Sequence, residues 1–225
     1  MAAYDLEEQE QIAEIKAWWK QYGNRLVNVL TAFALVAAGW QGWNWYQRNQ
    51  AGQASVIYGA LQKAVQDKDT QRVKAASGEL LEKFGGTPYA VLGALTSAKA
   101  MIEAGDAPTA KAQLLWAAEH AKDEWRDLAR LRAAAVLLDD KAYDQALAQL
   151  EGASGAAFAI RFQDMRGDVL AAQGKKPEAL SAYRTALARL DELEKGAAGL
   201  EWRGEANAIF RDLIGQKIDA LGGGR

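Results

Sequence analysis

Cysteine is absent, histidine occurs once and proline three times. The missing cysteine removes disulfides, thiolate metal ligands, thiol catalysis and a lipidated cysteine; it suits an oxidising compartment without proving one. A single His120 leaves no histidine cluster for a metal, and its place near the end of an expected helix suits a charge on the helix dipole. No GxSxG, HExxH, P-loop or dinucleotide fingerprint is present. The acid pairs Asp139-Asp140 and Asp191-Glu192 fall at expected helix ends, where they read as solvated breaks rather than as a general acid and base. A formal net charge of −2 carries no sign of a nucleic-acid partner. No enzymatic activity, catalytic residue, cofactor or metal site is expected. β-Branched residues are few and alanine is abundant, which favours helix throughout.

What the chain does have is one organising stretch, Trp18 to Tyr46. An apolar run from Leu26 to Trp40 lies between Trp18, Trp19 and Tyr22 on one side and Trp40, Trp43, Trp45 and Tyr46 on the other. Five of the eight tryptophans are in this segment. Indole and phenol rings gather at membrane interfaces, and about 20 helical residues cross a hydrocarbon core of about 30 Å. A single membrane-spanning helix over 25–46 is expected. Lys16, Lys20 and Arg25 precede the run while Arg48 and Lys63 follow it, a slight bias that places the N-terminus in the cytoplasm. A cleaved signal peptide is the rival reading, with Val36-Ala37-Ala38 as a small-residue cleavage site. Against it stand a long acidic leader and the tryptophans just beyond. One face of the anchor carries Asn28, Thr31, Ala34, Ala38 and Gly42. Small residues let helices approach closely in lipid and Asn or Thr can bond across the contact, so this face suits a membrane partner; a lone helix tolerating small residues is the alternative.

Before the anchor, Leu6, Ile12, Ile15, Trp19 and Tyr22 recur at helical steps, suiting a solvated leader or a docking helix. Residues 47–55 read as a polar linker. From Val56 onward, short helices alternate with breaks near Asp67-Lys68-Asp69, Gly85-Gly86-Thr87-Pro88, Gly105 to Pro108, Lys122-Asp123, Asp139 to Lys141, Gly152 to Gly155 and Gly174 to Pro177.

The array is periodic. Gly167, Gly174, Ala179, Tyr183 and Ala186 are spaced by seven, five, four and three residues. Ala98, Gly105, Ala110, Leu114 and Ala117 repeat that spacing, as do Ala134, Lys141, Ala146, Leu150 and Ala153. A degenerate first copy is Leu61, Lys68, Val73, Ser77 and Leu80. The pattern resembles the tetratricopeptide (TPR) repeat, in which small residues meet inside a helical hairpin and a bulkier one packs on the next. The expected fold is all-α: one N-terminal transmembrane helix, then a superhelical TPR-like array of about 3–4 hairpins over 56–221, capped by the helix from Leu200 to Leu221. That cap would bury Trp202, Ile209, Phe210, Leu213, Ile214 and Ile218, with 222–225 frayed. Arrays of this kind bind on the face made by the first helix of each hairpin. The repeat frame puts Leu92, Leu95, Lys99 and Ile102 there, then Leu128, Leu131 and Leu138, then Arg161, Asp164 and Asp168. Such a face suits an extended unfolded segment or an amphipathic helix, unless the C-terminal helix fills it or the frame is off by one residue.

Tyr4-Asp5-Leu6-Glu7-Glu8-Gln9-Glu10-Gln11, then Lys16 to Asn24 and the aromatic-flanked anchor, closely resemble the YfgM-type ancillary subunits of the bacterial Sec translocon. The resemblance is strongest over 4–46 and looser over the repeats. It implies a single-pass type II inner-membrane protein, cytoplasmic over 1–24 and periplasmic beyond the linker. It further implies association with the SecYEG channel and with a membrane-anchored periplasmic chaperone of the prolyl-isomerase type, and a chaperone-like part in receiving newly exported, unfolded chains. The rival is a TPR scaffold for another envelope assembly, such as division or cytochrome maturation, with no affinity for unfolded chains.

Overall fold

The computed structural model describes the backbone over residues 2–152, 155–196 and 201–223, and side chains over 10–152, 155, 158–195 and 207–223. Among the described residues there are nine helices and no strand: α1 (Ala2–Gln66), α2 (Thr70–Phe84), α3 (Pro88–Glu103), α4 (Ala107–His120), α5 (Asp123–Asp139), α6 (Tyr143–Gln149), α7 (Ala156–Ala172), α8 (Lys176–Gly196) and α9 (Glu201–Ala220). The chain divides into two units, Met1–Gln50 and Ala51–Arg225.

Helix α1 runs for 65 residues because nothing in it stops a helix: it has no proline and only isolated glycines. Residues 47–55, expected as a linker, are therefore helical. Their polar composition belongs to a helix with most of its surface exposed, and Ala54 among them is fully buried in the core.

The second unit is a run of helical hairpins. The end of α1 pairs with α2, α3 with α4, α5 with α6, and α7 with α8, and α9 follows. All seven expected breaks fall at junctions between helices, several of them reaching into the first or last turn. The repeat frame is visible in the backbone. Its turn position is Lys68, Gly105, Lys141 and Gly174, and these four residues have φ of 55, 78, 58 and 79°. In each case the next N–H returns to a carbonyl five residues back. Asp69 N bonds Ala64 O at 2.9 Å, Asp106 N bonds Met101 O at 2.8 Å, Ala142 N bonds Leu137 O at 2.8 Å, and Lys175 N bonds Leu170 O at 2.9 Å. This is the Schellman arrangement, which satisfies carbonyls left open at a helix end. The residue it leaves behind then starts the next helix. Asp69 accepts from Arg72 N at 3.1 Å and Asp106 from Thr109 N at 3.2 Å, each capping its helix.

The remaining frame positions are buried. Leu61, Val73, Ser77 and Leu80 lie inside, with Ala98, Ala110, Leu114 and Ala117, Ala134, Ala146 and Leu150, and Gly167, Ala179, Tyr183 and Ala186. Gly167 lies so close to the Tyr183 ring that a Cβ on it would come within 2.3 Å of Cε1. Ala153, the last position of its copy, lies outside the described residues.

Three apolar clusters follow one another along the array. One joins α1 to α5, one joins α5, α6 and α7, and one joins α7, α8 and α9. Each helix thus packs on its neighbours in order, as in a one-dimensional stack. Helix α6, at seven residues, is shorter than its counterparts, and Gly152 (φ 65°) follows it. In the cap, Phe210, Ile214 and Ile218 are buried as expected, but Ile209 and Leu213 are 67% and 45% exposed; Leu200 and Trp202 lie outside the described side chains. Gly222 and Gly223, expected to fray, instead repeat the turn seen in the repeat frame, with Gly222 at φ 78° and Gly223 N on Ile218 O at 3.0 Å.

Replacing a left-handed lysine by glycine removes steric cost, and replacing a left-handed glycine by alanine adds it. Lys141→Gly should therefore raise unfolding free energy by about 0.5–1 kcal/mol and Gly105→Ala should lower it by about 1 kcal/mol. Urea titration of the detergent-solubilised full chain reads both; shifts of the same sign would contradict the turn assignment.

Candidate binding groove

The first helices of the first hairpins enclose an open groove. Helix α1 contributes Tyr58, Gln62 and Val65; α3 contributes Leu92, Leu95, Thr96, Lys99 and Glu103; α5 contributes Trp125, Leu128 and Arg132. These positions recur at three- and four-residue steps, so each helix turns one stripe towards the groove. The volume is about 390 Å³. Its wall is pinned by a 3.4 Å contact between the Tyr58 and Thr96 hydroxyls and by the Tyr58 and Tyr89 rings, 5.8 Å apart. A deeper pocket of about 690 Å³ adjoins it where α3 and α5 begin, bordered by Pro88, Val91, His120 and Lys122. Leu92 and Trp125 line both spaces and join them. His120 stacks on Trp116 at 4.2 Å, with Nδ1 2.9 Å from the Trp116 carbonyl at the helix end.

Four of the ten residues projected onto this face meet in the groove: Leu92, Leu95, Lys99 and Leu128. Leu95 is 4% exposed and forms the floor. Leu131 and Leu138 pack against the α5–α6–α7 cluster, and Ile102 is half exposed away from the groove. Tyr58, Gln62 and Val65 escaped the sequence reading although the frame held their signal. They stand to Leu61 as Leu95, Lys99 and Ile102 stand to Ala98. Trp125 and Arg132 carried no such signal.

The three residues from the third hairpin all meet α9, with Asp164 buried, Asp168 part-buried and Arg161 exposed. Arg161 lies over the Phe210 ring of α9 at 4.2 Å. Asp164 accepts from Lys217 Nζ of α9 at 2.7 Å, and Asp168 accepts from the same ammonium at 2.9 Å and from the Tyr183 hydroxyl at 2.7 Å. Burial raises the Asp164 carboxyl above its ordinary range, with Lys217 opposing. Burial, with Asp168 beside the hydroxyl, pushes Tyr183 upward and keeps it a donor. Arg211 ties α9 to Asp191 and Glu194 of α8 at 2.5 and 2.8 Å. The C-terminal helix therefore occupies this part of the face, because two carboxylates brought inside need a cation. Among the described residues no group of three or more His, Asp or Glu could hold a metal.

In the first unit, α1 from Glu10 contains a stretch long and apolar enough to cross a membrane. Trp18 and Tyr22 rings lie 5.8 Å apart at its start, and Trp43 and Tyr46 rings 6.1 Å apart at its end. Asn28, Thr31, Ala34, Ala38 and Gly42 are all exposed, and a Cβ on Gly42 would meet nothing within 4 Å.

The family model described as a tetratricopeptide repeat-like domain matches residues 16–223. Three curated relatives are each named an ancillary SecYEG translocon subunit. The Haemophilus influenzae protein is 32% identical over 88% of this chain and 98% of its own length. The Neisseria gonorrhoeae protein is 31% identical over 98% and 100%, and that of Escherichia coli is 30% identical over 78% and 85%. This chain belongs to the YfgM-type family of tetratricopeptide repeat-like proteins.

In this YfgM-type chain the match runs through both units, so the anchor segment and the array belong to one family architecture. The α7–α9 contact gives a direct test. Lys217→Met strands Asp164 and Asp168 without their cation and should cost about 2–3 kcal/mol of stability. Adding Asp164→Asn to that variant should recover part of the loss. Calorimetry in detergent reads the change; an unaltered melting temperature would contradict the assignment.

Proposed function

We propose that this chain is an inner-membrane adaptor of the SecYEG translocon, with residues 1–24 cytoplasmic, 25–46 in the bilayer and the repeat domain in the periplasm. Its groove receives unfolded segments of newly exported proteins and passes them on beside a membrane-anchored periplasmic chaperone of the prolyl-isomerase type. It works by binding, without catalysis. The observation that carries this reading is the groove itself: half-buried Leu92 and Leu128 and exposed Trp125 line a space left between α1, α3 and α5. The names of the relatives supply the channel as its setting.

Apolar side chains lining a groove favour an extended or helical guest, since burial contributes about 25 cal/mol per Å² of apolar surface. The exposed small face of the anchor, Ala34, Ala38 and Gly42 with Asn28 and Thr31, suits packing against a membrane helix of the channel.

Photocrosslinking tests the reading in cells that hold a secretory chain part-way through export. A benzophenone side chain at Leu128 or Leu92 should label the exported chain, whereas one at Asp164, buried against α9, should not. Labelling of folded envelope proteins alone would contradict the reading and favour a scaffold for division or cytochrome maturation. In the same strains, Ala38→Leu with Gly42→Leu should reduce recovery of the channel with the tagged chain, and unchanged recovery would count against that face.

A further inference from the structure

Two groove residues have no evident part in holding the array together. Trp125 is 52% exposed although it borders both the groove and the deeper pocket. Arg132 lines the groove and, among the described residues, makes no ion pair or hydrogen bond. The other charges there offset one another. Lys99 and Glu103 form a pair at 3.8 Å, and Lys122 and Asp123 are neighbours on the pocket rim. The guanidinium of Arg132 is thus the unbalanced charge of the groove, in a chain whose formal net charge is −2.

The spacing of the two residues sets the form of the guest. Trp125 and Arg132 are seven positions apart on α5, about two turns, so they share a face and stand about 10 Å apart along the axis. An extended chain in the polyproline II conformation covers about 9 Å in three residues, and its three residues per turn bring side chains three apart onto one face. Leu128, between them, offers an apolar surface for the intervening segment.

We infer that the groove selects extended segments in which a large apolar side chain stands three residues from an aspartate or glutamate. The apolar side chain enters the pocket between Val91, Leu92 and Trp125, and the carboxylate meets the Arg132 guanidinium. A planar fork with two parallel N–H donors suits a carboxylate better than any neutral group. The inference rests on the groove being a peptide site, as proposed above, and names the chemistry it prefers.

Fluorescein-labelled ten-residue peptides, titrated against the detergent-solubilised full chain by anisotropy, test it. One peptide carries Phe-x-x-Glu, a second replaces that Glu by Gln, and a third moves the Glu next to the Phe. The wild-type chain should bind the first about tenfold more tightly than either of the others. Arg132→Gln should erase that preference by weakening only the first peptide, Arg132→Lys should keep part of it, and Trp125→Ala should weaken all three. Arg132 is exposed and has no ion pair or hydrogen bond among the described residues, so the melting temperature of its variants should match the wild type. Equal binding of the Glu and Gln peptides, or equal weakening of both by Arg132→Gln, would overturn the carboxylate preference and leave the groove reading intact. If no peptide binds the wild-type chain, the groove reading and this inference fall together.

Discussion

Close approach inside each helical hairpin is the constraint on which the rest of this structure depends. Alanine or glycine at Ala98, Ala134 and Gly167 lets the first helix of a hairpin lie against the second, and nothing larger than hydrogen fits beneath Tyr183 at Gly167. A left-handed residue seven positions later reverses the chain, and its neighbour's N–H closes the open carbonyls. No hairpin made this way has enough apolar surface to bury by itself. Each therefore stacks on the next, and the first helices of successive hairpins come to form one face.

That face is treated differently at its two ends. Over the first hairpins it is lined by leucine, tyrosine and tryptophan and stays open. Over the third it carries Arg161, Asp164 and Asp168, and α9 lies across it through Phe210 and Lys217. Asp164 and Asp168 are covered at one end, while half-buried Leu92 and Leu128 and exposed Trp125 border an open space at the other. A terminal cap explains the first half, since two carboxylates near the end of a stack hold a cation-bearing helix in place. The proposed binding of a guest would explain the second, since an open space with apolar walls suits a partner surface.

Much of this was legible in the residues. The repeat spacing located four turns correctly because glycine, alanine and proline report steric facts that do not depend on distant parts of the chain. It even placed the turn positions at Lys68 and Lys141, where no glycine marks them; that these are left-handed emerges only from the structure. Where the reading failed, the missing information was tertiary. Residues 47–55 look like a linker because a helix exposed on most sides has a linker's composition, and only Ala54 betrays a buried contact. Asp164 and Asp168 were projected onto the face, but no local pattern says that Lys217, about fifty positions on, will answer them. Trp125 and Arg132 lie outside the repeat frame altogether, so their meeting in the groove is visible only once α3 and α5 are side by side.

The central claim is that guests bind to the first hairpins and are kept off the third by α9. Hydrogen exchange read by mass spectrometry, on the full chain in lipid nanodiscs with and without an unfolded exported segment, tests it most directly. The account predicts slowed exchange in peptides from α3 and α5 that include Leu92 to Glu103 and Trp125 to Arg132, with α7 and α9 unchanged. Protection centred on α7, or faster exchange of α9 as the guest displaces it, would contradict the account.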